Sequence, residues 1–184
     1  MLDINFDPFP LLTTERLILR QMNPGDAKEV YFLRSDDEVM TYVGRPKCPS
    51  IEEAVKWIEM VEDSRIKNEG ITWAITLKNE PILAGIFSFW KIDKENYRAE
   101  AGYILHPSHQ KKGIANEALS TMLHYGFHTL KFHSVEANID PENRASQNLL
   151  ERNGFIREAY FKENFFFDGK FYDSAIYSLL APVK

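Results

Sequence analysis

The sequence predicts an α/β (α+β) domain around one central, mostly antiparallel sheet, and three observations predict it. Runs with strand periodicity alternate with runs of helical periodicity along the 184 residues. A strand from Arg98 to Leu105 is joined by a helical crossover to a strand from Ser134 to Ile139, so those two should be parallel neighbours. The chain closes on two long strands, Phe155 to Phe167 and Lys170 to Leu180, joined by the hairpin dipeptide Asp168-Gly169.

In chain order, Arg16 to Met22 alternates apolar and charged residues and reads as a strand. Asn23, Pro24 and Asp26 supply a cap, a proline at the first helical position and an early acid, opening a helix to about Arg34. A short helical piece covers Asp36 to Tyr42. Ser50 with Glu53 forms a capping box. Behind it Ala54, Val55, Ile58 and Val61 stripe a helix that ends before Gly70. Ile71 to Leu77 and Ile82 to Ile92 form a hairpin across Lys78 to Pro81. After the 98–105 strand, Ala115, Ala118, Leu119, Met122 and Leu123 repeat at helical spacing. Asp140 and Pro141 open a further helix, and Asn153-Gly154 stops it.

Length and a 44% hydrophobic composition suit one domain spanning residues 1–184. The 22 basic and 27 acidic residues give a net charge of −5, which argues against a nucleic-acid partner held by overall charge. No stretch reaches the ~18 apolar residues of a membrane span. The N-terminus, acidic and broken by prolines, does not read as a signal peptide. Cys48 is the one cysteine and cannot form an internal disulfide, which points to a reducing cytoplasm. It reads as an incidental loop thiol. His124 and His128 lie four apart without a glutamate beside His124, so no metal site is expected. His106 and His109 flank a loop and read as surface residues.

That loop, Gln110-Lys111-Lys112-Gly113-Ile114-Ala115, feeds a helix N-terminus. The first N–H groups of a helix have no intrahelical partner and carry partial positive charge. Gly113 lacks a Cβ, so a phosphate can approach its backbone. The residues thus suit a pyrophosphate cradle. They also suit an ordinary strand–helix connection with two solvated lysines.

The order of elements, the Gln110–Ala115 loop, and Asn143-Arg144-Ala145-Ser146 followed by Gly154-Phe155 together resemble the GNAT superfamily of N-acetyltransferases. Thr14-Glu15-Arg16-Leu17-Ile18-Leu19-Arg20 looks like the opening of its RimJ/RimL branch, the ribosomal-protein N-terminal acetyltransferases and their relatives. Asp168 to Asp173 looks like the closing hairpin of that branch. The resemblance runs from about Leu12 to Leu180. It implies a GNAT fold, with about seven strands flanked by helices and a splayed parallel pair. It implies acetyl-CoA as co-substrate, no metal, and an amine acceptor.

In the family the loop that matches Gln110, Lys111, Lys112, Gly113, Ile114 and Ala115 binds the pyrophosphate through main-chain N–H groups. The strand matching Tyr103, Ile104 and Leu105 binds the pantetheine arm like an added strand. A backbone N–H near Leu105 would then polarise the thioester carbonyl. Asn138, Asn143 and Ser146 fall where the family contacts the cofactor arm. Asn143 and Ser146, three apart on one helix, could face one ligand. Read from their types alone, they are more simply a first-turn polar residue and a helix-surface serine.

The implied chemistry is direct attack of a neutral amine on the thioester. An α-amino group is roughly 10% neutral at neutral pH and a lysine amine under about 0.1%. A protein or peptide N-terminus therefore needs only a modest base. Glu100 is the candidate, with the alternative that it merely pairs with Arg98 or a lysine. Glu117 is a weaker one, since Thr121, His124 and His128 share its face and suggest a solvated surface. Some family members place a tyrosine acid on the helix after the asparagine motif. Leu150 stands there, so the family's alternative, the serine matching Ser146, is the implied donor to the sulfur. The aromatic segment Tyr160 to Tyr172 reads as an acceptor wall or, more simply, as core. A small-molecule amine acceptor and a non-catalytic acyl-CoA-binding regulator remain as other readings. The outer strands could pair between subunits as a homodimer.

Overall fold

The computed structural model describes residues 1–182; positions 183 and 184, the end of the expected domain span, lie outside the described residues. Eight strands form one sheet in the order β1-β2-β3-β4-β5-β6-β8-β7. They are β1 (Leu12–Thr13), β2 (Leu17–Arg20), β3 (Ile71–Leu77), β4 (Glu80–Asp93), β5 (Arg98–Leu105), β6 (Ser134–Ile139), β7 (Ile156–Phe167) and β8 (Lys170–Leu180). All neighbours are antiparallel except β5 and β6. The count exceeds the expected seven by β1, a two-residue strand that pairs Leu12 with Leu19 and is too short for a periodicity to register.

Among the described residues, five α-helices flank the sheet: α1 (Ala27–Ser35), α2 (Asp37–Met40), α3 (Ile51–Ile66), α4 (Ile114–His128) and α5 (Arg144–Arg152). The alternation of strand side chains divides the core. Odd-numbered residues of β5, with Phe87, Phe89, Val135 and Ala137, pack with Leu119 and Met122 of α4 and Leu150 of α5. Ala74, Leu83 and Ile86 face the other way and pack with Val30, Leu33, Ala54 and Ile58 of α1 and α3. Cys48 is a free loop thiol, as expected, but it is buried in that second cluster, 8% exposed with its thiol donating to the Ser50 carbonyl.

Two local expectations are revised. The fifth helix starts at Arg144, with Asn143 as its cap; Asp140 instead closes a preceding turn by accepting from the Glu142 amide. The aromatic run of β7 is not core: it is exposed almost throughout because β7 is the sheet's last strand, with β8 as its neighbour. The Asp168-Gly169 turn has both residues at positive φ, as a type I′ hairpin requires.

Candidate active site

The site is organised by a divergence. β5 and β6 pair at Arg98–Ser134, Ala99–Val135 and Glu100–Glu136 and then separate. β5 continues along β4 to Leu105, while β6 continues along β8 to Ile139. The His106 amide donates to the Ala84 carbonyl at 2.8 Å, which fixes the phase of the β4–β5 ladder. By alternation, Gly102 and Ile104 turn their backbone groups to β4, while Tyr103 and Leu105 turn theirs into the gap. The expected splay is therefore present. It brings Tyr103 and Leu105 to the gap and leaves Ile104 outside it, its side chain packed on the α1–α3 layer. Gaps of this kind suit an extended ligand that pairs like a strand.

At the wide end of the gap lies the loop. Lys111 and Gly113 both have positive φ, 57° and 77°, so the chain turns sharply into α4. Gly113 is the N-cap and offers no side-chain cap. The ladder of α4 begins with the Glu117 amide on the Gly113 carbonyl, which leaves the Ile114, Ala115 and Asn116 amides without intrahelical acceptors. Lys111 and Lys112 are exposed. The Gln110 side chain reaches back toward the Leu105 carbonyl, at 3.4 Å. These features fit a diphosphate: uncapped amides, a helix dipole and a residue with no Cβ.

A brace not anticipated from the sequence holds this loop. The Arg16 guanidinium donates to the Lys112 carbonyl at 2.9 Å and pairs with Glu117 at 2.6 Å. Glu117 also accepts from the Thr14 hydroxyl and the Arg16 amide. It is half-buried and fully engaged, not part of a solvated face. Burial pushes its carboxyl upward, but the Thr14 and Arg16 donors outweigh that and hold it below the ordinary range. Such a carboxylate is a poor base. The signal for the brace lay in the Thr14–Arg20 run, but the partner is 101 positions away and has no local mark.

Glu100 sits at the closed end of the gap, 6% exposed. Its side chain is on the face opposite α4 and α5, opposite Trp90 of β4 and Glu136 of β6. Lys91 pairs with it at 2.7 Å. Lys91 reaches it because the ladder shifts register after Trp90 and Lys91 has φ 47°, a bulge that re-aims the side chain. The lysine partner expected as the alternative is thus real; Arg98 instead pairs with Glu136. Burial raises the Glu100 carboxyl above its usual range, against the opposing pull of Lys91. A carboxylate so raised binds a proton more readily, as a base must.

On the other face, Tyr103 stacks on Phe87 and its hydroxyl meets the Ser146 hydroxyl at 2.6 Å. Ser146 is buried, and its amide donates to the Asn143 side chain at 3.0 Å. Asn143 is therefore occupied as the α5 cap, so it and Ser146 do not present two free side chains to one ligand. Burial pushes the Tyr103 phenol up to about 12. Leu150, on the buried face of α5, carries no hydroxyl, so the hydroxyl pair of this region comes from β5 and the first turn of the helix. Asn138, on β6 and exposed, lies on the Glu100 face, opposite Ser146. His106 stacks on Phe32 at 4.6 Å, so it serves the helical layer.

Residues 16–156 match the family described as the acetyltransferase (GNAT) domain. The uncharacterised N-acetyltransferase YoaA of Bacillus subtilis is 36% identical over 138 residues, 75% of this chain and 78% of that protein. A ribosomal-protein-serine acetyltransferase of Escherichia coli is 30% identical over 86 residues, 41% of this chain and 48% of that one. Among solved structures, a GNAT-family acetyltransferase from Bacillus anthracis superposes with a TM-score of 0.83 at 28% identity, covering 94% of this chain and 99% of that one. A spermidine N-acetyltransferase from Vibrio cholerae, solved with CoA and spermine, gives 0.81 at 25% identity, covering 91% and 97%.

Proposed function

This chain belongs to the GNAT acetyltransferase family and is an acetyl-CoA-dependent N-acetyltransferase; we propose that its acceptor is a protein or peptide N-terminal α-amino group, as in the RimJ/RimL branch. The observation that carries this reading is the charge balance on the acceptor face. Glu100 is already matched by Lys91, and Glu136 by Arg98. A polyamine, carrying several positive charges, calls for surplus carboxylates there. An α-amino group, partly neutral at pH 7, needs a single base. The Thr14–Arg20 opening, the Asp168–Asp173 hairpin and the similarity to the E. coli ribosomal-protein-serine acetyltransferase support the same branch.

In this reading the Gly113, Ile114 and Ala115 amides hold the pyrophosphate, with Gln110, Lys111 and Lys112 at the rim. The gap-facing amides of Tyr103 and Leu105 align the pantetheine arm and polarise the thioester carbonyl. Glu100 takes the proton of the incoming amine, directly or through one water. Ser146, oriented by the Tyr103 hydroxyl and by Asn143, donates a hydrogen bond to the leaving sulfur. A thiol near pKa ~8.5 leaves well enough that this help is small. Asn138 borders the gap on the acceptor side.

The small-amine alternative is favoured by the similarity to the spermidine N-acetyltransferase. A transfer screen corrected for acetyl-CoA hydrolysis separates the two, using short peptides with free N-termini, polyamines and aminoglycosides. The proposal expects the peptides to give the highest kcat/KM. Preferential turnover of a polyamine or aminoglycoside would overturn it.

A further inference from the structure

We propose that the acceptor carries a carboxylate close to its reacting amine, and that Arg45, seated on Trp90 beside Glu100, binds it. This rests on the acceptor-side reading of Glu100 above and deepens it. Trp90 is the direct cross-strand partner of Glu100, so both side chains are on one face. Its indole lies along β5: a Cβ built on Gly102 would stand 3.4 Å from the Trp90 Nε1. Two cations sit over this ring, Arg45 at 4.7 Å and Lys91 at 4.2 Å. Lys91 is committed to Glu100, whereas Arg45 has no carboxylate partner among the described residues.

Arg45 is not alone in that respect. Arg34, on α1, lies near enough for the two guanidinium charges to oppose each other. It stacks on Trp57 at 4.4 Å, makes no ion pair among the described residues, and its buried Nε has no hydrogen-bond partner. The neighbouring acids are occupied: Asp36 caps α2 and Asp37 pairs with Lys47. Around Trp90 and Glu100 the cations Arg34, Arg45, Lys91 and Arg98 therefore outnumber the acids Glu100, Glu136 and Asp93, the last opposite Arg98 across the ladder. This local excess of positive charge stands in a chain of net charge −5. A guanidinium fixed on an aromatic ring keeps its donor fork free for a carboxylate, and stacking spares it the entropy of immobilisation. The same excess repels a polycation, by Coulomb's law at short range.

The carboxylate could be the α-carboxylate of a free amino acid or the acidic side chain of a peptide, and matched acceptors distinguish them. Initial rates with acetyl-CoA compare alanine with alaninamide, Ala-Asp-Ala-amide with Ala-Asn-Ala-amide, and spermidine. In at least one pair the acid should exceed its neutral twin at least tenfold in kcat/KM, with spermidine poorest. Arg45→Ala should erase that preference through KM, with kcat and the KM for acetyl-CoA little changed. Equal use of acid and neutral partners, or preference retained in Arg45→Ala, overturns the proposal. Should no amine be acetylated, the transfer reading itself is at fault. NMR titration of the CoA-bound protein with N-acetyl-Asp-amide and N-acetyl-Asn-amide then tests the subsite separately. The acid should bind at least tenfold tighter and lose that margin in Arg45→Ala; equal affinities overturn the subsite as well.

Discussion

The two ends of β5, proposed to meet the two substrates, are built by different means. At the C-terminal end the elements are backbone: the Tyr103 and Leu105 groups turned into the gap, the left-handed Lys111 and Gly113, and the uncapped start of α4. At the other end they are side chains: Glu100 with Lys91, and Trp90 with Arg45. Backbone geometry tolerates many sequences so long as a glycine and a strand–helix order persist. Side-chain chemistry changes with single residues. The proposed acetyl-CoA end thus rests on features of the fold, which this chain shares with relatives such as the spermidine N-acetyltransferase solved with CoA, while the proposed acceptor end is where it can differ from them.

The largest effect separating the two ends is expected from Glu100→Gln. Loss of a general base lowers kcat by about 10²–10⁴-fold, with the KM for acetyl-CoA unchanged. The same variant has a stability signature. Burial raises the Glu100 carboxyl in the folded chain, so its contribution is fully present below the unfolded value and is lost as pH rises through the folded one. Thermal melts should show wild type gaining on Glu100→Gln as pH falls from about 8 to about 4, around the carboxyl range. Unchanged kcat would remove Glu100 from the mechanism.

At the donor end the effects fall on acetyl-CoA binding instead. Gly113→Ala places a Cβ on a residue at φ 77°, 3.3 Å from the Arg16 guanidinium. The left-handed conformation then costs about 1–2 kcal/mol, so relaxation of the loop raises the KM for acetyl-CoA roughly tenfold. Steady-state kinetics with saturating acceptor read this directly. A raised acceptor KM in its place would blur the distinction between the two ends.

Glu117→Gln should act more gently and on both stability and binding. The Arg16 partner is 45% exposed, so solvent screening limits the loss to about 1 kcal/mol. That corresponds to about 2–4 °C in Tm for a chain of this size. The Glu117 carboxyl is lowered on folding, so its stabilisation is present above the unfolded value and vanishes as pH falls through the folded one. The deficit of Glu117→Gln should therefore be full at pH 7 and shrink below about pH 4, near the carboxyl range. A pH-independent deficit would mean that the brace works by packing alone.

What the sequence made legible follows the same division. The order of elements, the 98–105 and 134–139 strands, the Gly113 loop and the Asp168-Gly169 hairpin are written in local residues, because turn chemistry and periodicity are local. The start of α5 was misplaced by three positions, since Asp140-Pro141 and Asn143 are both plausible helix openings and only the packed structure chooses. β7 reads as core because alternate residues of a long hairpin usually supply it; sheet order, a non-local property, leaves its aromatics exposed. Glu100, Ser146 and Glu117 can be named from the sequence, and a lysine foreseen for Glu100, but which residues partner them cannot be read there. Lys91 depends on a bulge, Tyr103 on the geometry of α5, and Arg16 on a contact with the loop and first turn of α4, about a hundred positions along the chain.

The central claim is that the opened edge of β5 and the first turn of α4 are one continuous seat for acetyl-CoA. Backbone amide NMR of the whole protein, titrated with acetyl-CoA, tests it most directly. The account predicts that the amides of Tyr103, Leu105, Ile114 and Ala115 shift together on one binding curve and become slow to exchange. Saturable binding that leaves those four unmoved, with the largest changes elsewhere in the sheet, would contradict it.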